Sequence, residues 1–93
     1  MISSLCIPRM ESSISKEYIF NIISSLHLGK IDRITEIPLR NNPDYKRIII
    51  KLRWNEIEQN SRNLRNQLET SGSIKVVHDM PWYWKVVSTH PQI

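Results

Sequence analysis

The sequence KRIIIKLRW, residues 46–54, decides the fold of this chain. One set of alternate positions is apolar: Ile48, Ile50, Leu52 and Trp54. The other set is mostly cationic: Arg47, Ile49, Lys51 and Arg53. Because successive side chains of a β-strand point to opposite faces, this pattern predicts a strand that buries one face and exposes the other.

The residues before this segment predict a strand, a helix and a second strand. Residues 5–7 form a short apolar run typical of a strand. Apolar side chains then recur at the helical spacing i, i+3, i+4 and i+7: Ile19, Ile22, Ile23 and Leu26. Ser15 is expected to cap this helix and Gly29 to end it. Residues 30–39 predict a strand with an irregular start, and the turn residues 41–44 join it to the central strand in a hairpin.

The residues after the central strand predict a second helix and two more β-rich segments. Asn55 is expected to cap the helix, with Glu58 in the capping-box position, and Gly72 is expected to end it. Its expected buried stripe consists of Ile57, Ser61, Leu64 and Leu68. A short strand follows at residues 74–77, and residues 81–87 form a β-rich aromatic extension.

Length and composition are typical of one globular domain. The chain has 93 residues, of which 40% are hydrophobic and 24% are charged. We expect a single domain over residues 1–93, with its core at about 4–87 and a short C-terminal tail. The single cysteine, Cys6, excludes an intrachain disulfide. No apolar run approaches the roughly 18 residues that span a bilayer, and the start has no signal-peptide pattern, so we expect a soluble, non-secreted domain.

The order of elements and the charge distribution together predict a charged surface. The order βαββαβ predicts an α+β fold, a four-stranded antiparallel sheet with two helices on one face in the ferredoxin-like arrangement. Residues 30–53 hold seven of the 13 basic and three of the nine acidic residues, so the whole net charge of +4 lies there. Since the helices cover the apolar face of the central strand, its cations must point to the open face.

Four segments carry a resemblance to a known family: LCIPR at 5–9, LGKI at 28–31, YKRIIIKL at 45–52 and IKVVHDMPWYWKV at 74–86. They resemble the RNA recognition motif (RRM), and more closely the small RRM-like proteins of giant DNA viruses. The most specific of them is PWYWK at 81–85. The resemblance implies an RRM-like fold, single-stranded RNA or another nucleic acid as partner, and a location in the virion or in the viral factory of the host cytoplasm.

The resemblance also indicates which residues would contact the ligand. RRMs stack bases on aromatic side chains of the two central strands. Here the corresponding positions are Cys6, Arg47 and Ile49, and none of them is aromatic. Arg47 would stack or contact phosphate together with neighbouring cations. The predicted nucleic-acid-binding residues are Arg47, Ile49, Lys51, Arg53, Cys6, Arg9, Lys46, Tyr83 and Lys85.

Two alternatives stay open at this point. The aromatic residues of segment 82–84 either pack on the core, with Tyr83 facing away, or form a stacking platform in place of the missing one. The chain as a whole is alternatively a viral structural or protein-interaction module, in which Cys6 and Ile49 would form an apolar anchor for a protein partner or a second copy.

The residues do not predict an enzyme, a cofactor or a metal site. The histidines His27, His78 and His90 share no ligand spacing with one another or with Cys6. Both glycines are expected to end helices, which leaves no phosphate-cradling loop. Cys6 would lie beside Arg47, a setting that lowers a thiol pKa, but no general base is predicted beside it. We therefore expect a non-catalytic module.

Overall fold

The computed structural model describes residues 2–80 and 82–89. Pro81 of the aromatic motif, His90 and the rest of the C-terminal tail lie outside the described residues. The described residues form two helices and five strands. In chain order these are β1 (Ile2–Glu11), α1 (Lys16–Ser25), β2 (Gly29–Pro38), β3 (Tyr45–Trp54), α2 (Gln59–Ser71), β4 (Ser73–Asp79) and β5 (Trp82–Thr89).

The five strands form one sheet in the order β2-β3-β1-β5-β4, and every neighbouring pair is antiparallel. The predicted α+β class is confirmed. The predicted four-stranded ferredoxin-like order is wrong, because the aromatic extension is a fifth strand. β5 forms a hairpin with β4 and also pairs with β1, from Ser4 opposite Thr89 to Cys6 opposite Val87. It therefore takes the position beside β1 and leaves β4 at the edge.

The burial of β3 follows its sequence pattern. Ile48, Ile50 and Leu52 are fully buried, whereas Arg47 and Lys51 are exposed. Both helices contribute to the same core, which also contains Ile19 and Ile23 of α1 and Leu68 of α2. The two helices thus cover the apolar face of the sheet, as predicted. Trp54 is buried as expected.

The boundaries of α1 agree with the sequence at its start but not at its end. The Ser15 hydroxyl oxygen accepts a hydrogen bond from the Tyr18 N–H at 3.1 Å, which confirms the predicted N-cap. The helix ends at Ser25, and His27, with φ of 55°, takes the left-handed conformation that was expected of Gly29. Gly29 instead begins β2. A Cβ there would lie 2.0 Å from the Arg53 carbonyl oxygen, so close strand pairing requires this glycine.

The start of α2 also differs from the prediction. Asn55 does not cap the helix directly: its Oδ1 accepts hydrogen bonds from the N–H groups of Ile57 and Glu58, at 3.1 and 3.3 Å. This is an Asx turn, and the helix begins only at Gln59. Ile57 therefore lies outside the helix and is 91% exposed, so its predicted place in the buried stripe is wrong. Gly72, with φ of 81°, ends the helix as expected.

An ion pair between a buried lysine and an exposed glutamate joins β2, β3 and the chain before α1. Lys46 lies on the core face of β3, and its Nζ pairs with the Glu36 carboxylate and donates to the Ile14 carbonyl oxygen. The lysine is 6% exposed. The hydrogen bond from Lys46 lowers the pKa of Glu36 despite the opposing effect of partial burial. Because one charge is deeply buried, removal of its partner destabilises the fold.

This pair predicts a contribution to stability that depends on pH. The pKa of Glu36 is lowered in the folded state, so its contribution is complete above the unfolded value of about 4.3 and is lost as the pH falls through the folded pKa. Urea titrations between about pH 6 and pH 3 should show a smaller acid dependence in Glu36→Gln than in the parent. Glu69→Gln, which removes an exposed carboxylate from α2, is the control. Equal acid dependence in Glu36→Gln and the parent would contradict this role.

The position of β5 makes a second prediction. Trp82 and Trp84 are two residues apart and share a face of β5. Trp84 is 5% exposed, whereas Trp82 is 66% exposed because it lies at the end of the strand. Trp84→Ala should therefore lower the free energy of unfolding by about 3–5 kcal/mol. Trp82→Ala should change it by less than about 0.5 kcal/mol. Urea unfolding of the two variants checks this, and similar losses would contradict the described register.

Candidate nucleic-acid interface

The sheet face opposite the helices carries most of the basic side chains of the chain. Cross-strand partners share a face, so the register of β3 with β2 adds two cations to those of β3 itself. On β4 and β5, Ile74, Val76, Trp84 and Val86 point to the core, and the residues between them point to the open side. We call this surface the basic face. Its cations are Arg9, Lys30, Arg33, Arg47, Lys51, Arg53, Lys75 and Lys85.

Three pairs of cations lie directly opposite each other across this face. The pairs are Lys30 with Arg53, Arg33 with Lys51, and Lys75 with Lys85. Side chains in directly opposite positions have Cβ atoms about 4.5–5.5 Å apart, and like charges there destabilise the sheet. Asp32 offsets one pair in part, with its Oδ2 3.8 Å from Arg53 Nη2. The remaining repulsion favours a bound anion over the empty surface.

Two tyrosines lie among these cations. The Arg9 guanidinium lies 4.0 Å from the centre of the Tyr45 ring, and Lys75 Nζ lies 4.3 Å from the centre of the Tyr83 ring. Both are cation–π contacts. Tyr83 is 51% exposed, so part of its ring is accessible to a ligand. Trp84, in contrast, packs in the core while Tyr83 faces away from it, as the packing alternative for this segment predicted, but Trp82 is 66% exposed and does not pack as that alternative expected.

The structure brings together all but one of the predicted binding residues. Eight lie on the basic face: Arg47, Ile49, Lys51, Arg53, Cys6, Arg9, Tyr83 and Lys85. Lys46 does not. It is opposite the buried Met10 and paired with Glu36 on the core side, so its predicted contact with nucleic acid is wrong. The alternation of β3 decides this, since Lys46 shares its face with Ile48.

Cys6 lies between Ile49 and Val87 in the strand register and is 6% exposed. Burial raises the pKa of its thiol, and the nearby charge of Arg47 offsets this only in part. The expected lowering of the pKa is therefore wrong. The thiol is neutral near pH 7 and is poorly suited to act as a nucleophile.

Thiol alkylation tests this description of Cys6. In the native protein the reaction should be slower, by on the order of ten-fold or more, than after unfolding in urea, because little thiolate forms and the sulfur is covered. The control is Ser71→Cys in a Cys6→Ser background, which places a thiol at an exposed helix position. Reaction of native Cys6 as fast as that of the control thiol would contradict its burial.

The sequence interpretation left out four residues of this face: Lys30, Arg33, Tyr45 and Lys75. A signal was available for two of them. Tyr45 is two residues before Arg47, so the two share a face of β3. Lys75 lies between the apolar residues Ile74 and Val76, so it points away from the core. The placement of Lys30 and Arg33 on this face can be read only from the register of β2 with β3, which includes a bulge between Ile31 and Arg33. That bulge changes the facing of residues in a way that alternation alone does not reveal.

No protein-family model, curated protein or solved structure matches this chain. In the part of the chain that the structure describes, none of the helices has the length and apolar character needed to span a bilayer. Within the same residues, no three side chains of the types His, Cys, Asp and Glu are grouped where they could hold a metal ion.

Proposed function

We propose that this chain is a non-catalytic module that binds single-stranded RNA, or less specifically any single-stranded nucleic acid, on its basic face. The observation that carries the proposal is the set of three directly opposed cation pairs on one face of the sheet. A polyanion would relieve their repulsion, and each phosphate neutralised by Lys or Arg releases condensed counterions.

The central cations are the best placed for phosphate contact. Arg47 and Lys51 are exposed on β3, which lies inside the sheet between β2 and β1. The half-buried Ile49 lies between them on the same face of β3, and the small Ser4 lies opposite Lys51 on β1, so the side chains on this side leave room for a nucleic-acid backbone. Lys75 and Lys85 extend the charge across β5 to the edge of the sheet.

The tyrosines favour single strands over duplex. Unpaired bases stack on aromatic rings, at about 1–3 kcal/mol per base, and this stacking tolerates any sequence. Tyr45 and Tyr83 both lie on the basic face with a cation against the ring. We therefore propose that they replace the aromatics that RRM-like proteins carry at the positions of Cys6, Arg47 and Ile49. Binding of this kind has weak base preference.

The alternative, a viral structural or protein-interaction module, has less support from the geometry. The apolar anchor that it predicted on the open face, Cys6 with Ile49, is largely covered, since Cys6 is buried and Ile49 is half-buried. A viral setting, in the virion or the host cytoplasm, is a proposal that depends on the resemblance in sequence.

A salt titration tests the proposed function. Fluorescence anisotropy of a labelled single-stranded RNA of about 12 nucleotides, measured between about 50 and 200 mM salt, should show affinity that falls steeply with salt. Arg47→Ala/Lys51→Ala should weaken binding and reduce the slope of log K against log salt by about 1.4, since each contact contributes about 0.7 for single strands.

The matched control is Lys16→Ala/Arg62→Ala, which removes the same charge from exposed positions on the two helices. It should leave the slope close to that of the parent. The proposed function is wrong if the parent does not bind at the lowest salt, or if both double variants lose affinity equally.

A further inference from the structure

β1 and β5 are neighbours in the sheet but are paired over only part of their length. Pairing extends from Ser4 to Cys6 on β1 and from Val87 to Thr89 on β5. Beyond these residues, β1 continues to Glu11 and β5 extends back to Trp82, and the described register contains no pairs between these parts. The two strands therefore separate toward this end of the sheet.

A cleft of about 520 Å³ lies where the strands separate. This volume is in the range of about 300–1,000 Å³ that is typical of small-molecule sites. We call it the aromatic cleft. Its lining includes the charged residues Arg9, Glu11 and Asp79 and the aromatic residues Tyr45, Trp82 and Tyr83. Arg9, Tyr45 and Tyr83 belong to the basic face as well, so the cleft is continuous with that surface.

The deeper wall of the cleft is fixed by packed aromatic rings. His78 stacks on Trp84 with ring centres 4.3 Å apart and planes 18° apart. Tyr18 of α1 contacts both rings edge-on, at 6.0 and 6.1 Å. Its hydroxyl oxygen lies 3.3 Å from both His78 Nδ1 and the His78 carbonyl oxygen. These contacts brace His78 and Trp84, which line one side of the cleft.

The lining has the chemistry that a flat heteroaromatic ring requires. Trp82 lines the cleft and is 66% exposed, so its indole ring is accessible to a planar ligand. Glu11 and Asp79 are exposed, and among the described residues neither carboxylate has a side-chain partner. Carboxylates accept hydrogen bonds from the exocyclic amino groups of bases, and Arg9 adds a donor for a phosphate or a base carbonyl.

We infer that the aromatic cleft takes one unpaired nucleobase of the strand whose phosphates lie on the basic face, with preference for a base that carries an exocyclic amino group. This inference rests on the proposed function and adds a base-binding site to it. The base stacks on Trp82, and its edge meets Glu11 and Asp79. The continuity of the cleft with the basic face at Arg9 and Tyr83 lets one strand use both.

The test compares a base-containing strand with an abasic one. Two single-stranded DNA probes of about 12 nucleotides are used, an oligodeoxycytidine and an abasic strand of the same length and charge. The parent should bind the oligodeoxycytidine more tightly than the abasic strand. Trp82→Ala should lower affinity for the oligodeoxycytidine by about 5- to 150-fold, the effect of about one lost stacking contact, and leave affinity for the abasic strand unchanged.

Phe20→Ala is the control, since it removes an aromatic side chain of 46% exposure from α1, outside the cleft. It should bind both probes as the parent does. The cleft assignment is overturned if Trp82→Ala binds the oligodeoxycytidine like the parent, or if it loses the same factor on both probes. If the parent binds the two probes equally, the basic face holds phosphate and the cleft holds no base. If the parent binds neither of these probes nor the single-stranded RNA of the salt titration, the proposed function itself is wrong.

Discussion

The alternation of apolar and cationic side chains along β3 is the constraint on which the rest of the structure depends. β3 pairs with β2 on one side and with β1 on the other. The register with β3 therefore decides which side chains of β1 and β2 point to the core and which point to the open face. Ile48 and Ile50 form one surface that only an apolar cover can stabilise, and α1 and α2 supply that cover. The cations could not be covered in the same way without a large desolvation cost. One strand therefore produces both the core and the basic face.

β5 gives this layered arrangement its particular shape. Its last three residues, 87–89, pair with β1, whereas residues 82–86 pair with β4 and not with β1. The same strand thus extends the basic face and opens a cleft at one end of it. Trp84 and Val86 tie the hairpin to the core, and Tyr83 and Lys85 project from the opposite face.

The sequence predicted the features that depend on local alternation or spacing. The facing of β3, the Ser15 cap and the Gly72 helix end follow from neighbouring residues and are confirmed. The position of β5 could not be predicted this way, because the choice of strand partner depends on contacts between distant residues, such as Cys6 and Val87. Lys46 was wrongly placed among the binding residues because its charge was considered without its position in the alternation of β3, which puts it on the same face as Ile48. The cleft could not be predicted either, because it forms where β1 and β5 separate, and this separation depends on two segments that are far apart in the sequence.

The opposed cation pairs connect the proposed binding to the stability of the protein. Each pair places two like charges in contact positions of a sheet, so the uncomplexed molecule is less stable than one with neutral residues there. Replacement of Lys75 or Arg33 by threonine would therefore tend to strengthen the fold while it weakened the surface for a polyanion. The packing of the core therefore has to outweigh the repulsion between the cations of the basic face. A chain that needed only to fold would have no reason to keep it.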